Sequence, residues 1–276
     1  MTQHALAIID LVVDHRINAR RSVRAVDHVD LHVRAGEVHA LVGESGSGKT
    51  SLARAALRLI PRTSGSLWVD GSDFGRARGR HLRALRTRMQ YVAQDPLDAL
   101  DPRVTVQQSV AEPWLVHRVP HDPVRDVARL LAQVGLDATL ATRLPHQLSG
   151  GQRQRVCVAR ALALEPAVVV LDEPFAALDP PVAAQVLDTI DELRTRRDTA
   201  FLLVTHDLAM VESVADTVSV MADGEIVEHG PTTAVFTSPR AAATMRLLDA
   251  RIPHDPERAR QWRPCSVSAT TTSQES

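Results

Sequence analysis

The chain has 276 residues, 44% of them apolar and 3% aromatic, with a formal net charge of −1. That length suits one large domain or two lobes sharing a core, and the apolar content excludes global disorder while requiring an aliphatic interior. The balanced charge excludes the broad basic field of a general nucleic-acid binder, and no run of about 18 apolar residues offers a membrane span.

Residues Met1 to Asp10 lack the basic region and long apolar stretch of a signal peptide. Residues 5–13 read as a strand, and Asp14 to Arg24, polar and basic, as a loop or hairpin. Val29 to Val33 alternates apolar and polar, as a half-buried strand does. Ala35-Gly36-Glu37 turns into an apolar strand, Val38 to Val42. A helix is expected from Ser51 to Ile60, stopped by Pro61. A short strand, Leu67 to Val69, leads to a hairpin-type turn at Asp70-Gly71.

Arg76 to Arg88 carries six Arg and one His; a charge run alone says little, and a solvated helix face is expected over an anion-binding patch. Met89 to Ala93 reads as a strand ending at Gln94. From Asp95 to Leu164 the pattern is helical, with helices over Val104–Val116, Pro123–Val134 and Gly151–Leu164. Val124, Val127, Ala128 and Leu131 fall on one face of the second of these. Alternation of strand and helix then resumes: strand Val168–Leu171, helix Pro181–Arg196, strand Ala200–Val204, helix Leu208–Val214. Strands Thr217–Met221 and Glu225–Glu228 and a helix Arg240–Ala250 follow, and the polar stretch 251–276 is expected to be disordered. This order implies an α/β domain with a largely parallel, doubly covered sheet and an inserted helical lobe at about 95–164. Cys157 and Cys265 have no metal-ligand spacing and point to a reducing compartment.

The stretch Gly43-Glu44-Ser45-Gly46-Ser47-Gly48-Lys49-Thr50, between a strand and a helix that begins at Ser51, fits the loop that wraps a nucleotide's phosphates. Its glycines let backbone N–H groups approach phosphate oxygens, and the helix that follows directs its positive end at the same anion. Lys49 would reach the β- and γ-phosphates of ATP, and the Thr50 hydroxyl would ligate Mg²⁺. The chain has 31 Arg and a single Lys, which is Lys49. A compact ammonium is thus kept for the one place that needs it. Val168 to Leu171 ends in Asp172 and Glu173, where an α/β sheet binds ligands. Asp172 would hold Mg²⁺ opposite Thr50, directly or through water, and Glu173 could orient and deprotonate an attacking water. Ser149 is a good helix cap, whereas Gly150 and Gly151, ahead of Gln152, are poor helix formers and suit a backbone that approaches an anion.

Together these motifs resemble the ATP-binding subunit of ABC transporters over about residues 5–250. The phosphate loop, Gln94, Leu148-Ser149-Gly150-Gly151-Gln152, Val170-Leu171-Asp172-Glu173-Pro174, Ala177-Leu178-Asp179 and His206 stand in that family's order. Within it, the Gly-Glu-Ser-Gly-Ser-Gly-Lys loop, Gln94-Asp95-Pro96 running to Val106, and Ser238-Pro239 before a Leu-rich helix to Pro253 are similar to the peptide/nickel importer branch. The resemblance implies a P-loop NTPase with a RecA-like α/β core, an N-terminal β subdomain and an inserted helical subdomain. It implies that Gln94 contacts Mg²⁺ or the attacking water, that His206 bonds the γ-phosphate, and that Asp179 lies between two ATPase subunits. Ser149 and Gly151 would complete the site of the opposing subunit.

Implied partners are two transmembrane permeases, a second ATPase subunit (heterodimer favoured over homodimer) and, indirectly, an extracytoplasmic solute-binding protein. The place is the cytoplasmic face of the membrane. Family members usually stack an aromatic on adenine; Asp14 to Arg24 has none, and His15 or Arg16 would substitute. Phe175-Ala176-Ala177 stands where the family often has Thr-Ser-Ala. With Cys265 alone in the C-terminal stretch, no iron–sulfur cluster is expected. The same motifs would serve a soluble ABC-type ATPase in a multienzyme complex such as phosphonate breakdown, whereas the long coiled coils of DNA-repair relatives have no counterpart here.

Overall fold

The computed structural model describes residues 4–18, 21–175 and 180–250. The expectations for Asp179, Cys265 and the stretch 251–276 lie outside the described residues.

Strands β1 (His4–Arg16) and β2 (Ser22–Arg34) form a long antiparallel hairpin, so strand runs well into the segment expected as a loop. Strand β3 (Val38–Val42) leads to helix α1 (Lys49–Ala56). α1 ends well before Pro61, contrary to expectation, because Arg58 turns left-handed (φ 55°). Tertiary bonds hold that turn: the Arg58 guanidinium donates to the carbonyls of Phe74 and Ala77, both at 2.8 Å. Strands β4 (Ser64–Val69) and β5 (Ser72–Asp73) close around the expected Asp70-Gly71 turn, both of whose residues have positive φ. The order β2-β1-β4-β5 makes a four-stranded antiparallel sheet.

Helix α2 (Gly79–Arg88) exposes all its arginines and buries Leu85, so the charge run is a solvated face. Strand β6 (Met89–Val92) follows. The helical segment contains α3 (Pro96–Ala99), α4 (Val106–His117), α5 (Arg125–Gln133), two 3₁₀ turns (Ala138–Thr142 and Pro145–Gln147) and α6 (Gly150–Leu162). α5 buries Val127, Leu130 and Leu131, whereas Val124 is 70% exposed ahead of it; the expected apolar face is shifted by one turn.

Strand β7 (Val168–Asp172), helix α7 (Pro180–Arg197), strand β8 (Ala200–Val204), helix α8 (Leu208–Val214), strands β9 (Thr217–Ala222) and β10 (Glu225–Pro231), and helices α9 (Thr232–Thr237) and α10 (Ala242–Asp249) complete the chain. The main sheet has the order β10-β9-β3-β8-β7-β6, parallel except for β10. Its central strands are buried on both faces, which is why they read as unbroken apolar runs. Val168, Val170 and Leu202 face α1 and the antiparallel sheet; Val169, Leu171 and Leu203 face the helical lobe.

One buried polar chain joins β3 to β9 and β10. The Thr217 hydroxyl donates to Glu37 Oε1, so its oxygen accepts from His39 Nδ1 at 2.7 Å. His39 Nε2 is then the acceptor for Ser219 Oγ (3.0 Å), which accepts from His229 Nδ1 (3.1 Å). His39 is 0% exposed, and burial holds its pKa down at about 3 against the ordinary 6.5. Between those values the unfolded chain binds a proton that the folded chain refuses, so acid weakens the fold. The expected cost is about 1.4 kcal/mol per pH unit, or about 2 kcal/mol from pH 6.5 to about 5. His39→Gln, which cannot titrate, is expected to lose that share of the pH dependence in urea unfolding compared at about pH 7 and about pH 5.

Candidate functional site

The C-terminal ends of β3, β8, β7 and β6 lie side by side in that order. In-register pairs Leu41↔Val204, Asp172↔Val204 and Leu171↔Val92 put them at one level. The phosphate loop leaves β3, His206 follows β8, Asp172 and Glu173 end β7, and Gln94 follows β6. One cleft is lined by all of these except the buried Asp172, with His15 and Leu247 on its other walls.

Two glycines of the loop answer to steric need. A Cβ on Gly43 would lie 2.1 Å from the Met221 carbonyl oxygen. One on Gly48 (φ 107°) would lie 2.1 Å from that of Ala25. Gly48 opens α1, leaving its first amides directed at the cleft. Glu44, Ser45, Gly46 and Ser47 form the loop's rim, and Ser47 N bonds Glu44 O at 3.2 Å. Lys49 is folded into the loop it follows: Nζ donates to the carbonyls of Gly43 and Glu44 at 2.8 Å and to Ser47 Oγ at 3.4 Å. Burial pushes the Lys49 ammonium pKa down, and the carboxylates of Glu173 and Asp172 pull against that.

Glu173 has a left-handed backbone (φ 47°), an uncommon state for a non-glycine and one that clusters at functional sites. Its N–H donates to Val204 O at 2.8 Å, continuing the β7–β8 ladder through the turn. Its carboxylate spans two neighbours: Gln94 Nε2 donates to Oε2 at 2.9 Å, and His206 Nδ1 faces Oε1 at 3.1 Å. Asp207, the next residue, caps α8 by accepting from the N–H groups of Ala209 and Met210. Asp172 is fully buried. Its Oδ2 accepts from the Tyr91 hydroxyl at 3.0 Å, while Oδ1 has no hydrogen-bond partner. Burial pushes the Asp172 carboxyl above its usual range and the Tyr91 phenol up to about 12. Thr50 faces this carboxylate from α1.

Of the two candidates for the base-facing position, His15 lines the cleft, its Nε2 2.9 Å from Ser51 Oγ; Arg16 is exposed and is not part of the lining. Ser149, Gly150, Gly151 and Gln152 do not reach this cleft. They open α6, where Ser149 Oγ accepts from Gln152 N (3.2 Å) and Gln152 Oε1 accepts from Ser149 N (2.9 Å). Sequence reasoning passed over Tyr91 and Leu247. Tyr91 carries a signal, as the one tyrosine of an aromatic-poor chain, three residues before Gln94.

A family model described as ABC transporter matches residues 26–176. The chain is 45% identical over 240 residues to the glutathione import ATP-binding protein GsiA of Pectobacterium atrosepticum, covering 86% of this chain and 38% of that protein. It is 44% identical over 243 residues to the probable peptide ABC transporter ATP-binding protein y4tS of Sinorhizobium fredii, covering 86% and 68%. The chain thus spans well under half the length of the GsiA relatives. Among solved structures, cbiO1 from Clostridium perfringens, part of the transporter complex cbiONQ, superposes with a TM-score of 0.74 at 27% identity, over 91% of this chain and 96% of that one. The ATP-binding cassette MJ0796 bound to ADP and Pi gives a TM-score of 0.76 at 24% identity, over 82% and 98%, a likeness of fold. The chain belongs to the ABC transporter family and carries its ATP-binding domain.

Proposed function

We propose that this chain is the ATP-hydrolysing subunit of an ABC importer that powers uptake of a small solute of the peptide or nickel class. Peptide-type cargo is favoured by the names of the relatives. The observation that carries the hydrolytic reading is the Glu173 carboxylate, held between Gln94 and His206 beside the phosphate loop. We assign residues 5–250 to one ATP-binding domain, with the helices of about 95–164 as its inserted lobe.

In this reading Lys49 leaves the Gly43 and Glu44 carbonyls for the β- and γ-phosphates, and the loop amides and the start of α1 surround the same oxygens. One Glu173 oxygen exchanges its present donor for an attacking water and takes that water's proton as the water oxygen bonds to the γ-phosphorus and the bond from the γ-phosphorus to the β–γ bridging oxygen breaks, releasing ADP and inorganic phosphate. Gln94 orients the water, and His206 donates to the γ-phosphate. The pairing of a bare, buried Asp172 Oδ1 with the Thr50 hydroxyl fits Mg²⁺, an all-oxygen ion that keeps several waters. Held by these two residues, Mg²⁺ would supply charge neutralisation for the phosphates. His15 packs against the adenine.

The signature at Ser149–Gln152, absent from the cleft of its own chain, serves the site of a second ATPase subunit, as does Asp179; a heterodimer is favoured over a homodimer. Among the described residues no helix is long and apolar enough to cross a membrane. In this reading the path for the solute belongs to two permease subunits, with an extracytoplasmic solute-binding protein upstream, and this chain works at the cytoplasmic face.

Glu173→Gln is expected to bind ATP as the native chain does, to lose about a hundred- to ten-thousandfold in hydrolysis rate, and to accumulate as an ATP-bound dimer. Phosphate release and size-exclusion chromatography check this, and normal turnover in the variant would remove Glu173 as the base. Lys49→Ala is expected to weaken nucleotide binding about ten- to a hundredfold, the worth of a charge-assisted hydrogen bond. Fluorescence titration with an ATP analogue measures it, and unchanged affinity would count against the phosphate site.

A further inference from the structure

Tyr91 stands in register with Val170 across the β6–β7 pair, so it shares a sheet face with Val170 and, one step further along, with Asp172. Helix α1 crosses that face and brings Thr50 and Arg54, one turn apart, to the same place. The four side chains meet. The Tyr91 hydroxyl donates to Asp172 Oδ2 at 3.0 Å, and Arg54 and Thr50 lie close enough to act on the phenol and the carboxylate. The other carboxylate oxygen, Oδ1, is buried and bare. A bare buried acceptor costs about 1–3 kcal/mol, so its persistence asks for a purpose.

We propose that Tyr91 is a positioning residue for the metal-binding carboxylate: by occupying Oδ2 it fixes the rotation of Asp172 and leaves Oδ1 as the oxygen offered to Mg²⁺. This rests on the nucleotide-site reading given above. An aspartate free at both oxygens turns about its last torsion, which is broad, and offers the ion either oxygen. A phenol carried on a sheet strand removes that freedom, and Arg54, on the helix that also carries Thr50, steadies the phenol. Partners of this kind orient a metal ligand without touching the metal, and losing one typically costs about ten- to a hundredfold in metal affinity.

The test is Tyr91→Phe, which keeps the ring and removes the hydroxyl. Binding of a fluorescent ATP analogue is followed in EDTA and then during a Mg²⁺ titration. The expected result is an unchanged affinity in EDTA and a Mg²⁺ half-saturation raised about ten- to a hundredfold. Hydrolysis should recover when Mg²⁺ is raised to saturate the variant, a rescue that a merely structural role would not give. Arg54→Met, which leaves Tyr91 in place, is expected to shift half-saturation in the same direction by less, and it carries the test if Tyr91→Phe does not fold. A half-saturation within about twofold of native in a folded Tyr91→Phe protein, or an affinity lowered equally with and without Mg²⁺, overturns the proposal. A native chain that binds no ATP analogue overturns the nucleotide-site reading itself, whereas native binding that ignores Mg²⁺ leaves that reading standing and overturns the metal role of Asp172 and this proposal with it, which separates the two failures.

Discussion

Val204 pairs with Leu41 on one side and Asp172 on the other, and on that parallel register the site depends. The ladder continues past the strands, because Thr205 N bonds Leu41 O at 3.2 Å and Glu173 N bonds Val204 O at 2.8 Å. The turns that carry His206 and Glu173 are thereby hydrogen-bonded to the sheet. A slip of one residue would turn Asp172 from the α1 face to the helical lobe and separate it from Thr50. Burial of β3, β7 and β8 on both faces is what fixes the register, since every alternative exposes apolar side chains or strands backbone groups.

The same edge concentrates unfavourable terms. Glu173 takes a left-handed backbone, Lys49 and Asp172 are buried charges, and Asp172 Oδ1 lacks a partner. Each costs on the order of one to a few kcal/mol, and the aliphatic layers on the two faces of the sheet offset them. The loop binds its own lysine through the Gly43 and Glu44 carbonyls, so the ammonium is paired before any phosphate arrives. This arrangement keeps a buried cation satisfied and leaves it exchangeable.

How far the sequence could be read follows from where each decision is made. Buried parallel strands appear as unbroken apolar runs, so Ala200–Val204 was legible to the residue. The loop between β3 and α1 was legible because its tight turn demands glycine where a Cβ would meet backbone, at Gly43 and Gly48. The end of α1 was not, because carbonyls of Phe74 and Ala77, far along the chain, hold Arg58 in its turn. Val124 fits the helical period yet lies ahead of the helix, where Asp122 takes the free N–H groups of Val124 and Arg125. The choice between His15 and Arg16 turns on the irregular register of β1 at Val13/Asp14, which no pattern of residue types reveals. Tyr91 escaped notice for a related reason: its partner is 81 residues away and is set by strand pairing.

On the proposed function, this chain is an ATPase that works only in company, its signature helix serving another subunit and the solute path lying in other chains. The most direct test is to purify the protein from detergent-solubilised membranes, identify what accompanies it and assay the assembly for ATP hydrolysis. Two multi-spanning permeases and a second ATPase, with hydrolysis in the assembly, is the predicted result. Soluble metabolic enzymes in their place would leave the nucleotide chemistry standing and contradict the importer.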